Sequence, residues 1–139
     1  IADAAVKNMV RAGKAPKNSK VIILGLTFKE NCPDTRNSKV SDIYDKLKTY
    51  GIDPVVIDPW ANPDDALKEY GIVLSSMEDA KDADCIIFTV AHDEFKKMDF
   101  SQIDRMYRNM ENKEKVLIDV KGLFSVEELE NSGYSYWRL

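Results

Sequence analysis

The segment Gly25–Ser38 combines residue types that suit the binding of an anion. It holds a turn glycine at Gly25, an aromatic side chain at Phe28 and cations at Lys29 and Arg36. A backbone turn, a packing surface and two positive charges beside a helix start favour a phosphate or carboxylate ligand. The dinucleotide fingerprint GxGxxG is absent, because a single glycine marks the turn. Spacing alone leaves two hypotheses open, an anion site and a solvated loop.

Buried strands and amphipathic helices alternate along the chain and must position this segment. Short apolar runs predict strands at Val21–Leu24, Val55–Ile57, Ile72–Leu74, Cys85–Val90 and Val116–Val120, with a possible edge strand at Tyr134–Trp137. Stripes of apolar residues at helical spacing predict the intervening helices, which begin near Ser38, Asn62, Ser101 and Ser125. The alternation predicts an α/β fold, a doubly wound, mostly parallel sheet of five or six strands with helices on both faces, which is Rossmann-like.

In a sheet of this kind, ligands bind beyond the carboxyl ends of the strands, near the point where the strand order reverses. The segment Gly25–Ser38 lies at such an end and is longer than the roughly 2 to 6 residues of a typical βα connection. The segments after the later strands, Asp58–Asn62, Ala91–Phe95 and Lys121–Phe124, reach the same edge. We therefore expect the functional side chains in these four segments.

Composition excludes several classes of protein. The net charge of −4 and the pI near 5.1 give no general attraction to nucleic acid or to an anionic membrane surface. No apolar run approaches the roughly 20 residues of a membrane span, so we expect a cytoplasmic protein with no membrane partner. Cys32 and Cys85 lack metal-ligand spacing and are expected to be free thiols, and no metal site is predicted. The first residue is Ile1 and not Met, which favours a piece of a longer protein.

The residues also carry a resemblance to a known family. The string VIILGLTFKENCPDTRNS at Val21–Ser38 resembles the opening of the carboxy-terminal domain of the UDP-glucose/GDP-mannose dehydrogenase family, particularly its UDP-N-acetylhexosamine branch. Weaker likeness continues through LKTYGIDPVVIDPW, EYGI, ADCIIFTVAHDEF and LIDVKGLF. The resemblance implies an NAD-dependent oxidation of the sugar C6 alcohol of a UDP-sugar to a carboxylate, for capsule or O-antigen synthesis. UDP-glucose and GDP-mannose remain alternative substrates.

The resemblance also implies roles for individual residues. It assigns substrate contacts to Phe28, Lys29 and Lys121, and a cofactor contact to Arg36. Many relatives place arginine at the position of Lys121, and lysine cannot reproduce the paired hydrogen bonds of a guanidinium group. The resemblance assigns no catalytic residue to this chain, because the thiol nucleophile and most of the NAD site belong to other parts of such enzymes.

The same resemblance divides the chain and implies its partners. Residues 1–18 correspond to the tail of a central connecting helix and its linker, and residues 19–139 to the UDP-sugar-binding domain. The partners are then the UDP-sugar, an amino-terminal NAD-binding domain of the same protein, and a second copy in a homodimer. We expect this chain alone to be inactive.

Other functional interpretations of the residues carry less weight. His92, the single histidine, follows a strand and invites a general-base role, but no partner serine or cysteine is evident, so packing or lining a pocket is preferred. Asp34 is expected to bond backbone amides or to pair with Arg36. A receiver-like signalling module is an alternative from another class, although Val21–Thr27 lacks the acidic residue that a Mg²⁺ site needs.

Overall fold

A parallel sheet of five strands forms the centre of the computed structural model, which describes residues 1–139. The strands are β1 (Val21–Leu24), β2 (Val55–Ile57), β3 (Cys85–Phe88), β4 (Val116–Asp119) and β5 (Ser135–Arg138). Their spatial order is β2-β1-β3-β4-β5, and every neighbouring pair is parallel. The order reverses between β1 and β3, which is where a ligand is expected in a doubly wound sheet.

Six α-helices cover the two faces of the sheet. They are α1 (Ala2–Arg11), α2 (Val40–Thr49), α3 (Pro63–Tyr70), α4 (Asp93–Lys96), α5 (Phe100–Met106) and α6 (Val126–Ser132). Short 3-10 turns occupy Pro16–Asn18, Met77–Asp79 and Asn112–Glu114. Side chains alternate along each strand between a core with α1 and α2 and a core with α5 and α6. The predicted Rossmann-like architecture is confirmed.

Some predicted boundaries were wrong. Ile72–Leu74 forms no strand, and the neighbouring Ser75 makes only an isolated bridge to Ile57. The helix predicted from Ser101 begins instead at Phe100, because Asp99 accepts the amide hydrogen of Gln102 and acts as the cap. No helix of the structure combines the length and apolar character that a membrane span requires.

Candidate functional site

A cavity of about 380 Å³ opens at the carboxyl ends of β1, β3 and β4, beside the start of α2. Its polar lining comes from the segments after these strands and from the residues that lead into α2. These residues are Thr27, Asn37, Lys39, Thr89 and Lys121. The apolar part of its lining comes from Ile1, Phe28, Val40, Ile43 and Val120. The cavity therefore lies where strand order reverses and combines apolar surface with a few polar groups, as ligand sites commonly do.

Gly25 allows the loop after β1 (Gly25–Ser38, the first loop) to pack closely on the loop after β3. Its φ of 115° lies outside the range that side chains favour, and a Cβ atom there would lie 2.6 Å from Cβ of Val90. The hydroxyl group of Thr89 donates toward the carbonyl oxygen of Gly25 at 2.6 Å. The turn glycine thus joins the loops after β1 and β3 at the edge of the cavity.

Asp58, directly after β2, fixes the first loop through backbone hydrogen bonds. Its buried carboxylate accepts backbone hydrogen bonds from Leu26, Thr27, Trp60 and Ala61 at 2.6 to 3.1 Å. Burial raises the pKa of Asp58, but hydrogen bonds from His92 and the amides outweigh burial and hold that pKa below its usual 3.8. An acid at this position in a dinucleotide site binds a ribose hydroxyl group. Here the carboxylate is occupied internally, so it serves the loop and not a ribose.

Asp119 plays the corresponding part for the loop after β4. It is fully buried, and its two carboxylate oxygens accept the amide hydrogens of Leu123 and Phe124 at 2.9 and 3.0 Å. Gly122 turns the chain with a φ of 68°. These contacts fix the short loop from which Lys121 reaches the cavity.

The structure brings together two of the four residues to which the resemblance gives a role. Phe28, 56% exposed, and Lys121 line the same cavity. Lys29 is exposed and does not line it. Arg36 lies on the same loop with its side chain 77% exposed, and it too is outside the lining. The structure thus places Lys29 and Arg36 on the loop after β1, outside the lining of the cavity.

Arg36 is engaged by Asp34. The guanidinium Nε and Nη2 atoms donate to the two carboxylate oxygens at 3.0 and 3.1 Å, and the amide of Arg36 donates to Asp34 Oδ1 at 2.9 Å. The hydrogen bonds lower the pKa of Asp34 and raise that of Arg36. Both predicted roles of Asp34 are confirmed. Because the pair is exposed, it adds little stability, and Arg36 can exchange Asp34 for another anion.

Lys39 and Asn37 line the cavity but were missed from the sequence. Lys39 directly precedes α2, so its charge adds to the positive end of the helix dipole. Neither Lys39 nor Lys121 takes part in a salt bridge of the structure. Two unpaired cations on one cavity favour an anionic ligand. The position of Lys39 at a helix start, on the anion-binding side of the fold, is the signal that identifies it in the sequence.

His92 does not line the cavity. It is fully buried, and its Nε2 atom lies 3.0 Å from the Asp58 carboxylate and 3.2 Å from the Thr27 hydroxyl group. A nucleophilic triad needs the acid at one ring nitrogen and the hydroxyl group at the other. Here both are at the same nitrogen, so the arrangement is not such a triad. Of the two preferred interpretations of His92, packing is confirmed, and lining the pocket is not observed.

The two cysteines differ in burial. Cys85 is a buried core residue, and burial raises the pKa of its thiol, which keeps it protonated and inert. Cys32 is a half-buried free thiol of the first loop. The expectation of two unpaired cysteines is confirmed.

Comparison with known proteins identifies relatives of this chain. Residues 22–126 match the model of the UDP-glucose/GDP-mannose dehydrogenase family, UDP binding domain. A UDP-N-acetyl-D-glucosamine 6-dehydrogenase of Pseudomonas aeruginosa is 42% identical over 88% of this chain and 28% of its own length. Protein CapL of Staphylococcus aureus is 35% identical over 100% of this chain and 31% of its own length. The chain thus spans less than a third of these relatives.

Solved structures show the same architecture. An NDP-N-acetyl-D-galactosaminuronic acid dehydrogenase from Methanosarcina mazei Go1 superposes with a TM-score of 0.82 at 23% identity, over 98% of this chain and 27% of that one. The UDP-N-acetyl-mannosamine dehydrogenase Cap5O from Staphylococcus aureus superposes with a TM-score of 0.67 at 26% identity, over 99% and 28%. The first of these likenesses supports the fold alone.

Proposed function

The chain belongs to the UDP-glucose/GDP-mannose dehydrogenase family, and from this premise we propose that it binds the nucleotide part of a UDP-sugar in the cavity between β1, β3 and β4. The full protein would be an NAD-dependent UDP-sugar 6-dehydrogenase. Its substrate would be a UDP-N-acetylhexosamine, oxidised at C6 to a uronic acid for capsule or O-antigen synthesis. The observation that carries the proposal is that Lys39 and Lys121, neither of which forms a salt bridge, line one cavity together with Phe28.

The chemistry of the cavity suits a nucleoside diphosphate. Lys39 and Lys121 supply positive charge for the diphosphate, and the amino end of α2 adds its dipole. The exposed ring of Phe28 offers a flat apolar surface against which a base or a sugar can pack. The buried Asp58 and Asp119 fix the loops that carry these groups, so the site is largely formed before the ligand arrives.

Lys29 and Arg36 have a different part in the proposal. Both lie outside the cavity on the first loop, where they can contact the parts of a bound molecule that project beyond it. We assign Lys29 to the sugar end of the substrate. Arg36 would leave Asp34 to contact phosphate or ribose oxygens of NAD held mainly by the amino-terminal domain.

The remaining assignments concern the whole protein. Residues 1–18 would be the tail of the central connecting helix with its linker, and residues 19–139 the UDP-sugar-binding domain. NAD supplies the hydride acceptor in such an enzyme, and this chain contributes binding and orientation. The full protein would be a cytoplasmic homodimer. This chain alone would not reduce NAD, because neither the buried Cys85 nor the loop residue Cys32 is assigned the nucleophilic role. Family membership displaces the receiver-like alternative.

Isothermal titration calorimetry with UDP tests the proposal on this chain. Lys39→Ala and Lys121→Ala should each weaken UDP binding by about tenfold, because each removes a charge-assisted contact to the diphosphate. Neither variant should change the binding of uridine, which lacks the diphosphate. Lys81→Ala is the matched control: it removes an exposed lysine before β3, at the opposite end of the sheet, and should bind UDP as the parent does. A parent chain that does not bind UDP, or lysine variants with parent affinity, would refute the proposal.

A further inference from the structure

Two aromatic side chains pack against the ring of His92. It follows β3 and is 0% exposed. The ring of Trp60 stacks over it with centroids 6.1 Å apart, and Phe95 packs beside it at 5.5 Å. These contacts fix the plane of the imidazole, so the directions of its two nitrogen atoms are fixed as well.

Both ring nitrogens are used, and their partners define the tautomer. Nδ1 accepts the amide hydrogen of Asn31 at 2.9 Å, so Nδ1 carries no proton. The hydroxyl group of Thr27 donates to the carbonyl oxygen of Lys29 at 2.9 Å and therefore accepts at its contact with Nε2. Asp58 also accepts at Nε2. The imidazole is thus neutral, with its proton on Nε2.

The two partners in the first loop lie on either side of the segment Phe28–Glu30. Thr27 precedes this segment and Asn31 follows it, so one imidazole contacts both of its ends. Asn31 has a φ of 54°, and its side chain accepts the amide hydrogen of Asp93 at 3.0 Å. All three residues of the segment are exposed, so their side chains add little packing to hold it.

We propose that His92 is a positioning residue that sets the affinity for the nucleotide by holding the segment Phe28–Glu30 at both ends. It touches no ligand and transfers no proton. A loop fixed before binding has less conformational freedom to lose when the ligand arrives, and this raises affinity. The inference rests on the proposed function, because Phe28 faces the cavity and Lys29 is its neighbour.

Three substitutions separate the two contacts. His92→Phe keeps a flat ring but removes the hydrogen bonds of both ring nitrogens, to Asn31 at Nδ1 and to Thr27 and Asp58 at Nε2. The amide of Asn31 should therefore exchange faster with solvent, and UDP should bind about tenfold more weakly. The side-chain oxygen of asparagine reaches the position of Nδ1, and the side-chain nitrogen of glutamine reaches that of Nε2. His92→Asn should therefore restore the protection of Asn31, and His92→Gln should not. Both variants should bind UDP better than His92→Phe.

Tyr107→Phe is the matched control. It removes a buried hydrogen bond to the Val116 carbonyl oxygen near the amino end of β4, so it should lower stability without changing UDP affinity. If His92→Phe lowers the melting temperature but keeps parent UDP affinity and parent exchange at Asn31, His92 is structural only and the inference fails.

The histidine itself can be examined in the unmodified chain. Imidazole ¹⁵N chemical shifts should show Nδ1 without a proton and Nε2 with one, and the opposite tautomer would overturn the inference even if a variant fails to fold. If the parent does not bind UDP, the proposed function fails separately. Whether His92 holds the loop is then decided by the hydrogen exchange of the Asn31 amide and by the tautomer of the imidazole alone.

Discussion

Asp58 and Asp84 are two buried carboxylates at opposite ends of the sheet, and their charges are balanced in different ways. Asp58, at the carboxyl end, is surrounded by four backbone amides and His92. Asp84, at the amino end, pairs with Lys14 at 3.2 Å and with Arg108 at 3.1 Å, and it accepts one amide hydrogen from Lys20. Both environments lower the pKa of the carboxyl group below 3.8 despite burial.

The difference explains why only one end of the sheet suits an anionic ligand. At the amino end, Lys14 and Arg108 pair with the Asp84 carboxylate, so their charges are neutralised. These two ion pairs join the linker after α1 to the segment after α5. At the other end, Asp58 and Asp119 are satisfied by the backbone, so Lys39 and Lys121 keep their charges available. A carboxylate bound by amides fixes a loop without neutralising the site that the loop carries.

The two carboxylates should differ most in their contribution to the free energy of unfolding. Asp58→Ala should lower the free energy of unfolding by about 3–5 kcal/mol, because it leaves buried amides and an imidazole without an acceptor. Asp84→Ala should cost less, about 1–3 kcal/mol, because the side chain of Arg108 is 50% exposed and can turn to water. Urea unfolding of the two variants beside the parent measures both values. Equal losses, or a larger loss for Asp84→Ala, would remove the distinction between the two carboxylates.

A smaller effect on the free energy of unfolding is expected when the pH is lowered. Because the folded pKa of each carboxyl group lies below its unfolded value, the unfolded chain binds more protons, and stability rises with pH through this region. The contribution is present above about pH 4 and is lost as the pH falls through the folded values, by up to about 1.4 kcal/mol for each pKa unit. Unfolding free energies measured from about pH 5 to about pH 2 should decrease, and less steeply in Asp58→Asn or Asp84→Asn. A parent curve that is flat or rises on acidification would contradict the shared sign.

The sequence predicts much of the fold because its signals are local. The run Val21–Leu24 and the stripe from Val40 to Leu47 carry their own periodicity, and Gly71 and Gly133 end helices in the left-handed conformation. Ile72–Leu74 was predicted to be a strand and is not one. A short apolar run does not reveal whether a neighbouring strand can form a continuous set of backbone hydrogen bonds with it.

The candidate site was only partly predictable. Asp58 is visible in the sequence only as the end of a strand, since the first-loop amides that it binds, those of Leu26 and Thr27, lie 32 and 31 residues away. His92 likewise reaches Asn31 across 61 positions. Lys29 and Arg36 could be assigned to one loop from the sequence, but not to one side of the cavity. The amide of Phe28 donates to the carbonyl oxygen of Asp34, and both cationic side chains are exposed. Long-range hydrogen bonds decide which loop residues face the cavity, and sequence spacing does not encode them.

If the carboxyl end of the sheet binds the nucleotide and the amino end does not, the two ends must respond differently to UDP. A titration of this chain with UDP, followed residue by residue in ¹H–¹⁵N spectra, measures that difference. We expect saturable shifts with one dissociation constant at the amides of Thr27, Phe28 and Lys121, and unchanged positions for the amides of Lys20 and Asp84. Absence of saturable shifts, or shifts centred on the Asp84 ion pairs, would contradict it.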